Sequence, residues 1–277
     1  MTVGRRTRRA LWALSLAVVF AGACAQTQTQ PVISEYQPQV GQDGKDVIWV
    51  PTSQALVEEM LNLAKATPDD YLIDLGSGDG RTVIAAARRG IRAHGIEYNP
   101  DLVELSKRNA AKAGVSDRTT FVQADLFESD LSKATVITMF LLPDINLRLR
   151  PKLLDLKPGT RVVSNSFTMG DWKEDDMARV KDACASYCAA YLWIVPAKVQ
   201  GTWRLDDGEL TLTQNYQMIS GSLVRDGKAV TLANGKLKGD RIIFNAAGSL
   251  YHGTVTGNTM AGTISSGGTW KATRAGS

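Results

Sequence analysis

Asp74, Glu97 and Asp125 each stand at the end of a short apolar run, in "YLIDLG", "HGIEYNP" and "VQADLF". After the first run, "DLGSGDGR" puts Gly76, Gly78 and Gly80 at alternate positions. Glycines in such a turn let the backbone approach a ligand and adopt dihedrals barred to other residues. The spacing departs from the G-x-G-x-x-G of a dinucleotide site. Asp74 and Asp79 would repel a pyrophosphate, so the turn suits a cationic group. A carboxylate placed as Glu97 is can accept hydrogen bonds from two ribose hydroxyls, and Asp125 can accept from an adenine amino group. The ligand so described has a positive end, a ribose and an adenine, and no phosphate. S-adenosylmethionine fits; NAD would satisfy Glu97 but not Asp74. The candidate cofactor set is Asp74, Gly76, Ser77, Gly78, Gly80, Glu97, Tyr98, Asn99, Asp125 and Leu126.

These residues need a scaffold that brings strand ends to one edge. From Tyr71 the pattern alternates apolar strand and helix: strands at Tyr71–Leu75, Arg92–Glu97, Thr119–Gln123, 134–139, "RVVSNSF" and "YLWIVP", helices at 81–89 and 100–113. Pro100 opens the second of these helices, and Gly90 and Gly114 close them. A further helix in "LRLRPKLLDLKPG" is expected to break at Pro151. Ahead of them, Leu56, Met60 and Leu63 recur at helical spacing behind a Thr52 or Ser53 cap. Apolar strands alternating with helices predict an α/β fold, a doubly wound, mostly parallel sheet of the Rossmann-like kind. Ligands of such sheets bind at the carboxyl ends of the strands.

From about Ala197 the texture changes to short strands separated by Asp207-Gly208, Asp226-Gly227, Asn234-Gly235, Gly239-Asp240 and Gly257-Asn258. Those dipeptides are hairpin turns, predicting a small antiparallel all-β domain, an open sheet or a barrel. The similar ends "GTWRL" and "GTWKA" suggest that its first and last strands are neighbours. The domain reading is 1–25 signal peptide, 26–45 flexible Gln-rich linker, 46–197 S-adenosylmethionine-binding domain and 198–277 β domain.

The N-terminus carries Arg5, Arg6, Arg8 and Arg9, then the apolar "LWALSLAVVFAGA" and small residues around Cys24. This is the form of a secretory signal, and "TRRALW" is similar to the twin-arginine signal that exports folded proteins. The expected location is exported, periplasmic or membrane-associated; an uncleaved anchor holding the chain at the cytoplasmic face is the alternative. The whole chain has 32 basic and 28 acidic residues. Without those four arginines the balance is even, which leaves no electrostatic footprint for nucleic acid. Cys184 and Cys188 are open to two readings, a bridge or two buried thiols. His94 and His252 are isolated and read as structural, and no metal site is expected.

The core resembles a class I S-adenosylmethionine-dependent methyltransferase. Within that class it is similar to the mitochondrial protein-lysine methyltransferases acting on the ATP synthase c subunit and the adenine nucleotide translocase, with bacterial relatives. The resemblance runs from about Val47 to Pro196. Its marks are "WVPTSQALVEEML", "DLGSGDGRTVIAAARRG", "GIEYNP", "ADLF", "VITMFLLPDINLRLRPKL", "RVVSNSF" with "DW" after it, and "YLWIVP". It implies N-methylation of a lysine in a protein substrate, a small membrane-embedded carrier or rotor, and an N-terminal segment for targeting or membrane association. The β domain is a departure from the animal members and leaves the substrate open. A small-molecule or lipid methyltransferase, or an exported adenosyl-ligand-binding protein without turnover, are the other readings.

Methyl transfer is an in-line displacement, so the acceptor must be held close and aligned. A lysine acceptor must also be neutral, which costs about 4.6 kcal/mol at pH 7 from an unperturbed pKa near 10.4. A dry pocket beside a sulfonium lowers that cost, so no dedicated base is required. The acceptor is expected beyond the fourth strand, in "FLLPDIN", where many nitrogen methyltransferases carry an Asn/Asp-Pro-Pro-aromatic element that this chain lacks. There Leu141 and Leu142 can wall a pocket, and the Pro143 carbonyl or Asp144 can orient an amine, unless Asp144 only caps the next helix. Trp49, Pro51 and Thr52 are candidates for a lid.

Overall fold

The computed structural model describes residues 1–4 and 36–276. The signal-peptide reading over Arg5, Arg6, Arg8, Arg9 and Cys24 lies outside the described residues. Residues 36 onward form one compact unit.

The first helix, α1 (Gln54–Leu63), is capped by Ser53, whose Oγ accepts from the Leu56 N–H. Then come β1 (Tyr71–Leu75), α2 (Arg81–Arg88), β2 (Arg92–Glu97), α3 (Pro100–Lys112), β3 (Thr119–Gln123), β4 (Val136–Met139), α4 (Pro143–Leu154), β5 (Arg161–Asn165), β6 (Asp176–Arg179) and β7 (Ala189–Ile194). The seven strands lie in the order β3-β2-β1-β4-β5-β7-β6. The first five are parallel, while β7 runs antiparallel to both β5 and β6. Successive residues of a strand point to opposite faces, and each face has its own core. Leu72, Val136 and Val163 pack with residues of α1, α2 and α3, whereas Ile73, Ile137 and Val162 pack with α4.

Two expectations need correction here. Pro151 does not break α4, which continues through it to Leu154. An interior proline costs about 3 kcal/mol, and burial of Leu149 and Leu153 on either side offsets it. The carbonyl that Pro151 leaves without a helical partner belongs to Leu147, an exposed residue within reach of water. The polar edge strand β6 was not anticipated, because "DMAR" has no apolar alternation to mark it.

The remaining strands are β8 (Gly201–Leu205), β9 (Gly208–Asn215), β10 (Met218–Arg225), β11 (Lys228–Thr231), β12 (Ala233–Lys238), β13 (Arg241–Ala246), β14 (Ser249–Thr256), β15 (Thr259–Ile264) and β16 (Thr269–Arg274). They form one antiparallel sheet that closes on itself where β9 pairs with β10, giving a barrel with β11 beside β10. The first and last strands do pair, with Trp203 opposite Arg274. Asn234-Gly235 is not a hairpin turn; it lies within β12, at a register shift between Ala233 and Lys236. Buried Trp203, Phe244, Tyr251 and Trp270 fill the barrel.

The barrel packs on the loop after β5. Tyr216 stacks on Trp172 with centroids 5.9 Å apart, and the Gln217 side chain donates to the Lys173 carbonyl at 2.8 Å. Trp172 also meets Trp193 of β7, whose indole N–H donates to the Trp172 carbonyl at 2.8 Å.

Candidate active site

A crevice of about 1100 Å³, open to solvent, lies along the carboxyl ends of β1 to β4. Sheet register builds its first wall. Asp74 pairs across with Gly95 on one side and Thr138 on the other. Thr138 Oγ1 therefore donates to Asp74 Oδ1 at 2.6 Å. The Asp74 carboxyl is only 6% exposed. Burial, opposed by the Thr138 hydrogen bond and reinforced by the nearby Glu97 and Asp79 carboxylates, pushes its pKa up to about 7. A buried carboxylate of this kind calls for a cation.

Glu97 is oriented by backbone. Its Oε2 accepts from the Gly78 N–H and its Oε1 from the Asn99 N–H, both at 2.9 Å. The glycine turn and the end of β2 thereby hold one another. Asn99 has a second task, since its Oδ1 accepts from the Asp101 N–H at 2.9 Å and caps α3. Gly78 has a φ of +56°, and a Cβ there would lie 2.8 Å from Trp49 Nε1. Among the described residues, Ser77 Oγ is buried without a hydrogen-bond partner.

Residues 42–52 run along the crevice as a strap. The Trp49 N–H donates to the Gln42 carbonyl and the Gly41 N–H to the Trp49 carbonyl, each at 2.9 Å. At the far end, the Arg81 guanidinium donates to the Thr52 carbonyl at 2.7 Å, and Asn165 Nδ2 donates to Thr52 Oγ1 at 3.1 Å. Lys45 reaches across to Asp125 Oδ2 at 2.6 Å and lies 4.6 Å from the Tyr98 ring centroid. The other Asp125 oxygen accepts from the Phe127 N–H at 2.9 Å. The Lys45 hydrogen bond, followed by that of Phe127, holds the Asp125 carboxyl below its ordinary range.

The crevice thus gathers Asp74, Gly76, Ser77, Gly78, Glu97, Tyr98, Asn99, Asp125, Leu126, Trp49, Pro51, Thr52 and Leu141 from the candidate residues. Four candidates fall outside it. Gly80 is the N-cap of α2 with a φ of +81°, and a Cβ there would meet Phe121 of β3 and Ser106 of α3 at 2.9 Å, so it serves packing. Leu142, Pro143 and Asp144 are exposed at the start of α4. The carbonyl of Pro143, in the first turn of that helix, points along the helix axis. Neither it nor Asp144 reaches the crevice, and the wall there is Phe140, Leu141 and Ile145. Asp79 also changes meaning, because Arg81 grips its carboxylate through Nε and an Nη at 2.6–3.2 Å. It is paired within the turn rather than free to meet a ligand. Lys45 was missed, and residues 42–45 with it, because a Gln- and Gly-rich lead carries no periodicity that marks it as part of a site.

Residues 74–176 match the ANTKMT methyltransferase domain family. A protein-lysine N-methyltransferase of Saccharolobus islandicus is 41% identical over 152 residues, which cover 54% of this chain and 94% of that relative. The chain belongs to this methyltransferase family. The adenine nucleotide translocase lysine N-methyltransferase of Mus musculus is 39% identical over 129 residues, 46% of this chain and 56% of the mouse protein. The chain therefore spans about half the length of that animal relative. A solved structure described as an RNA methyltransferase from Salinibacter ruber in complex with S-adenosyl-L-homocysteine is 48% identical. It covers 54% of this chain and 96% of the Salinibacter chain, with a TM-score of 0.51.

The methyltransferase of this family uses S-adenosylmethionine, and the crevice suits that molecule on its own evidence. Asp74 is a buried carboxylate, Ser77 Oγ is a buried hydroxyl without a partner among the described residues, and the turn bears no side chain at Gly76 or Gly78. Acceptor carboxylates at the ends of β2 and β3 complete the set.

Proposed function

We propose that this methyltransferase N-methylates lysine side chains of a protein, and that the protein is membrane-embedded. Asp74 holds the positive end of the cofactor, Glu97 accepts from the ribose hydroxyls, and Asp125 accepts from the adenine amino group in exchange for Lys45. Ser77, Gly76, Gly78, Tyr98, Asn99 and Leu126 line the same space. S-adenosylmethionine supplies, when bound, an electrophilic methyl group on a sulfonium. The chain's own contribution is to position the acceptor and dry its surroundings. Leu141 and Ile145 present an aliphatic wall where the acceptor must react, and such a wall favours the neutral amine over the ammonium there. Trp49, Pro51 and Thr52 close the crevice from the strap side and exclude water. The observation that carries this reading is three carboxylates ending β1, β2 and β3 on one crevice, continuous with an apolar wall after β4.

The test is transfer of labelled methyl groups from S-adenosylmethionine by the full chain to separated protein, lipid and RNA fractions of a membrane preparation. Label is expected in protein, recovered as methyl-lysine on hydrolysis. Label confined to lipid would select the small-molecule alternative. Label in RNA would select the activity that names the Salinibacter relative, against which the even charge balance of the chain beyond its leader argues.

We further infer that the chain is exported through its twin-arginine-like leader, or stays membrane-associated by it. The support within the described residues is a disulfide between Cys184 and Cys188, with Cα atoms 5.8 Å apart. Such bonds persist in oxidising compartments and are rare in the cytosol. Among the described residues no helix is long and apolar enough to cross a membrane. Fractionation of cells expressing the full chain is expected to place it in periplasm or membrane, with the thiols blocked before lysis. A soluble cytoplasmic protein with two free thiols is the contrary result.

A further inference from the structure

The carboxyl edge of the sheet divides by chemistry. Carboxylates end β1, β2 and β3, whereas aromatic rings cluster at the same edge of β4, β5 and β7. Phe140 directly follows β4, Phe167 follows β5, and Tyr187 precedes β7, whose antiparallel course starts at that edge. The Phe140 and Tyr187 centroids are 5.2 Å apart in an edge-on contact, Phe167 and Tyr187 are 5.9 Å apart, and Phe140 and Phe167 6.1 Å. Phe140 also lines the cofactor crevice, so the triad and the crevice share a wall.

Tyr187 is the outermost ring. It is 45% exposed, which leaves an aromatic surface open beside a reactive crevice. Its backbone has a φ of +56°, a conformation that a bulky side chain adopts only when its surroundings hold it there. The surrounding constraint is covalent: Tyr187 lies inside the short loop closed by Cys184 and Cys188. This is a costly way to place one ring, and nothing in the hydrophobic core requires it.

We propose that Phe140, Phe167 and Tyr187 form the binding site for the acceptor's side-chain nitrogen in its cationic states, the incoming lysine ammonium and the methylated product. The disulfide loop positions Tyr187 to complete it. The inference rests on the lysine reading above. Ring faces attract a cation, and quaternary ammonium is held well by several faces at once. The three rings touch one another, so the cation enters by rotation of the exposed Tyr187 side chain while the disulfide loop holds its backbone in place.

The test uses the full chain, loaded with S-adenosylhomocysteine, and calorimetric titration with two probes. One is Nα-acetyl-trimethyllysine methylamide; the other is its neutral isostere, with carbon in place of the quaternary nitrogen. The cation is expected to bind about five- to thirty-fold more tightly than the isostere. Tyr187→Ala should bring that preference close to one, Tyr187→Phe should keep it, and the paired Cys184→Ser, Cys188→Ser variant should lose most of it. The two Tyr187 variants should melt within about 2 °C of the parent, since an exposed ring contributes little to the core, whereas the cysteine pair variant should melt several degrees lower for want of its crosslink. Equal binding of the two probes, no measurable binding of the cationic probe, or a preference untouched in Tyr187→Ala overturns the proposal. The lysine reading fails separately: a parent chain that labels lipid or RNA sinks it, whereas protein-lysine labelling with no cation preference sinks the triad alone.

Discussion

Asp74→Asn is expected to weaken S-adenosylmethionine binding at least 100-fold while leaving the ligand-free protein folded and, above neutral pH, more stable. The two effects have one cause. A carboxylate almost fully buried among Thr138, Glu97 and Asp79 is costly to ionise, and its pKa rises to about 7. In the unfolded chain it ionises near 3.9. Between roughly pH 4 and pH 7 the unfolded state gains charge that the folded state resists, so the ligand-free protein loses stability as pH rises through that window. An asparagine keeps an acceptor for Thr138 Oγ1 and carries no charge, so the variant escapes the loss, which amounts to a few kcal/mol. The cationic ligand reverses the balance, because it binds the ionised form. Removing one partner of a buried ion pair costs about 3–5 kcal/mol, hence the factor of 100 or more. Parent affinity should rise with pH through about 7 and then level off, and the variant's residual affinity should be flat over that range. Calorimetry at four or five pH values, with thermal melts of the ligand-free proteins alongside, measures all of this. A variant that binds as the parent does, or a parent whose affinity ignores pH between 6 and 8, would remove Asp74 from the cofactor site.

Trp172→Ala should cost about 3–5 kcal/mol of folding free energy, the usual range for truncating a fully buried large aromatic residue. For a unit of this size that is a fall in Tm of roughly 6–20 °C. Trp172 has no exposed surface. It packs between Trp193 of the parallel-sheet half and Tyr216 of the barrel. Among the described residues its own indole nitrogen is buried without a partner, so deletion also removes an unsatisfied donor, and the cost should fall toward the lower end of the range. The loss should appear as one cooperative transition, since the barrel and the cofactor-binding half share this contact and the Gln217–Lys173 hydrogen bond. Two separated transitions, or a change under about 1 kcal/mol, would mean that the barrel is a tethered module rather than part of one unit.

Most of the crevice lining could be read from local pattern. An acid at the end of an apolar run, a turn of alternating glycines and a helix opened by Asn99-Pro100 are each encoded within a few consecutive residues. Chain order then places the three acids at one edge, because parallel strands joined by helices put all their carboxyl ends together. The hairpin dipeptides marked four of the eight connections between successive barrel strands for the same local reason. Asn234-Gly235 misled because a bulge inside a strand uses the same dihedrals as a turn.

What chain-local chemistry alone determined, then, is the carboxylate side of the crevice: which residues end the strands, where the turn bends and what charge it presents. Tertiary structure alone decided the rest. It set Lys45 on Asp125 from 80 residues away, turned Asp144 out to solvent, packed Gly80 against Phe121 and Ser106, and closed the barrel through β9 and β10. It also inserted β7 against β5, which brings Phe140, Phe167 and Tyr187 together. Each of these depends on packing between segments far apart in the chain. Their free energy arises when buried surfaces meet, and no stretch of a few residues carries a record of its distant partner.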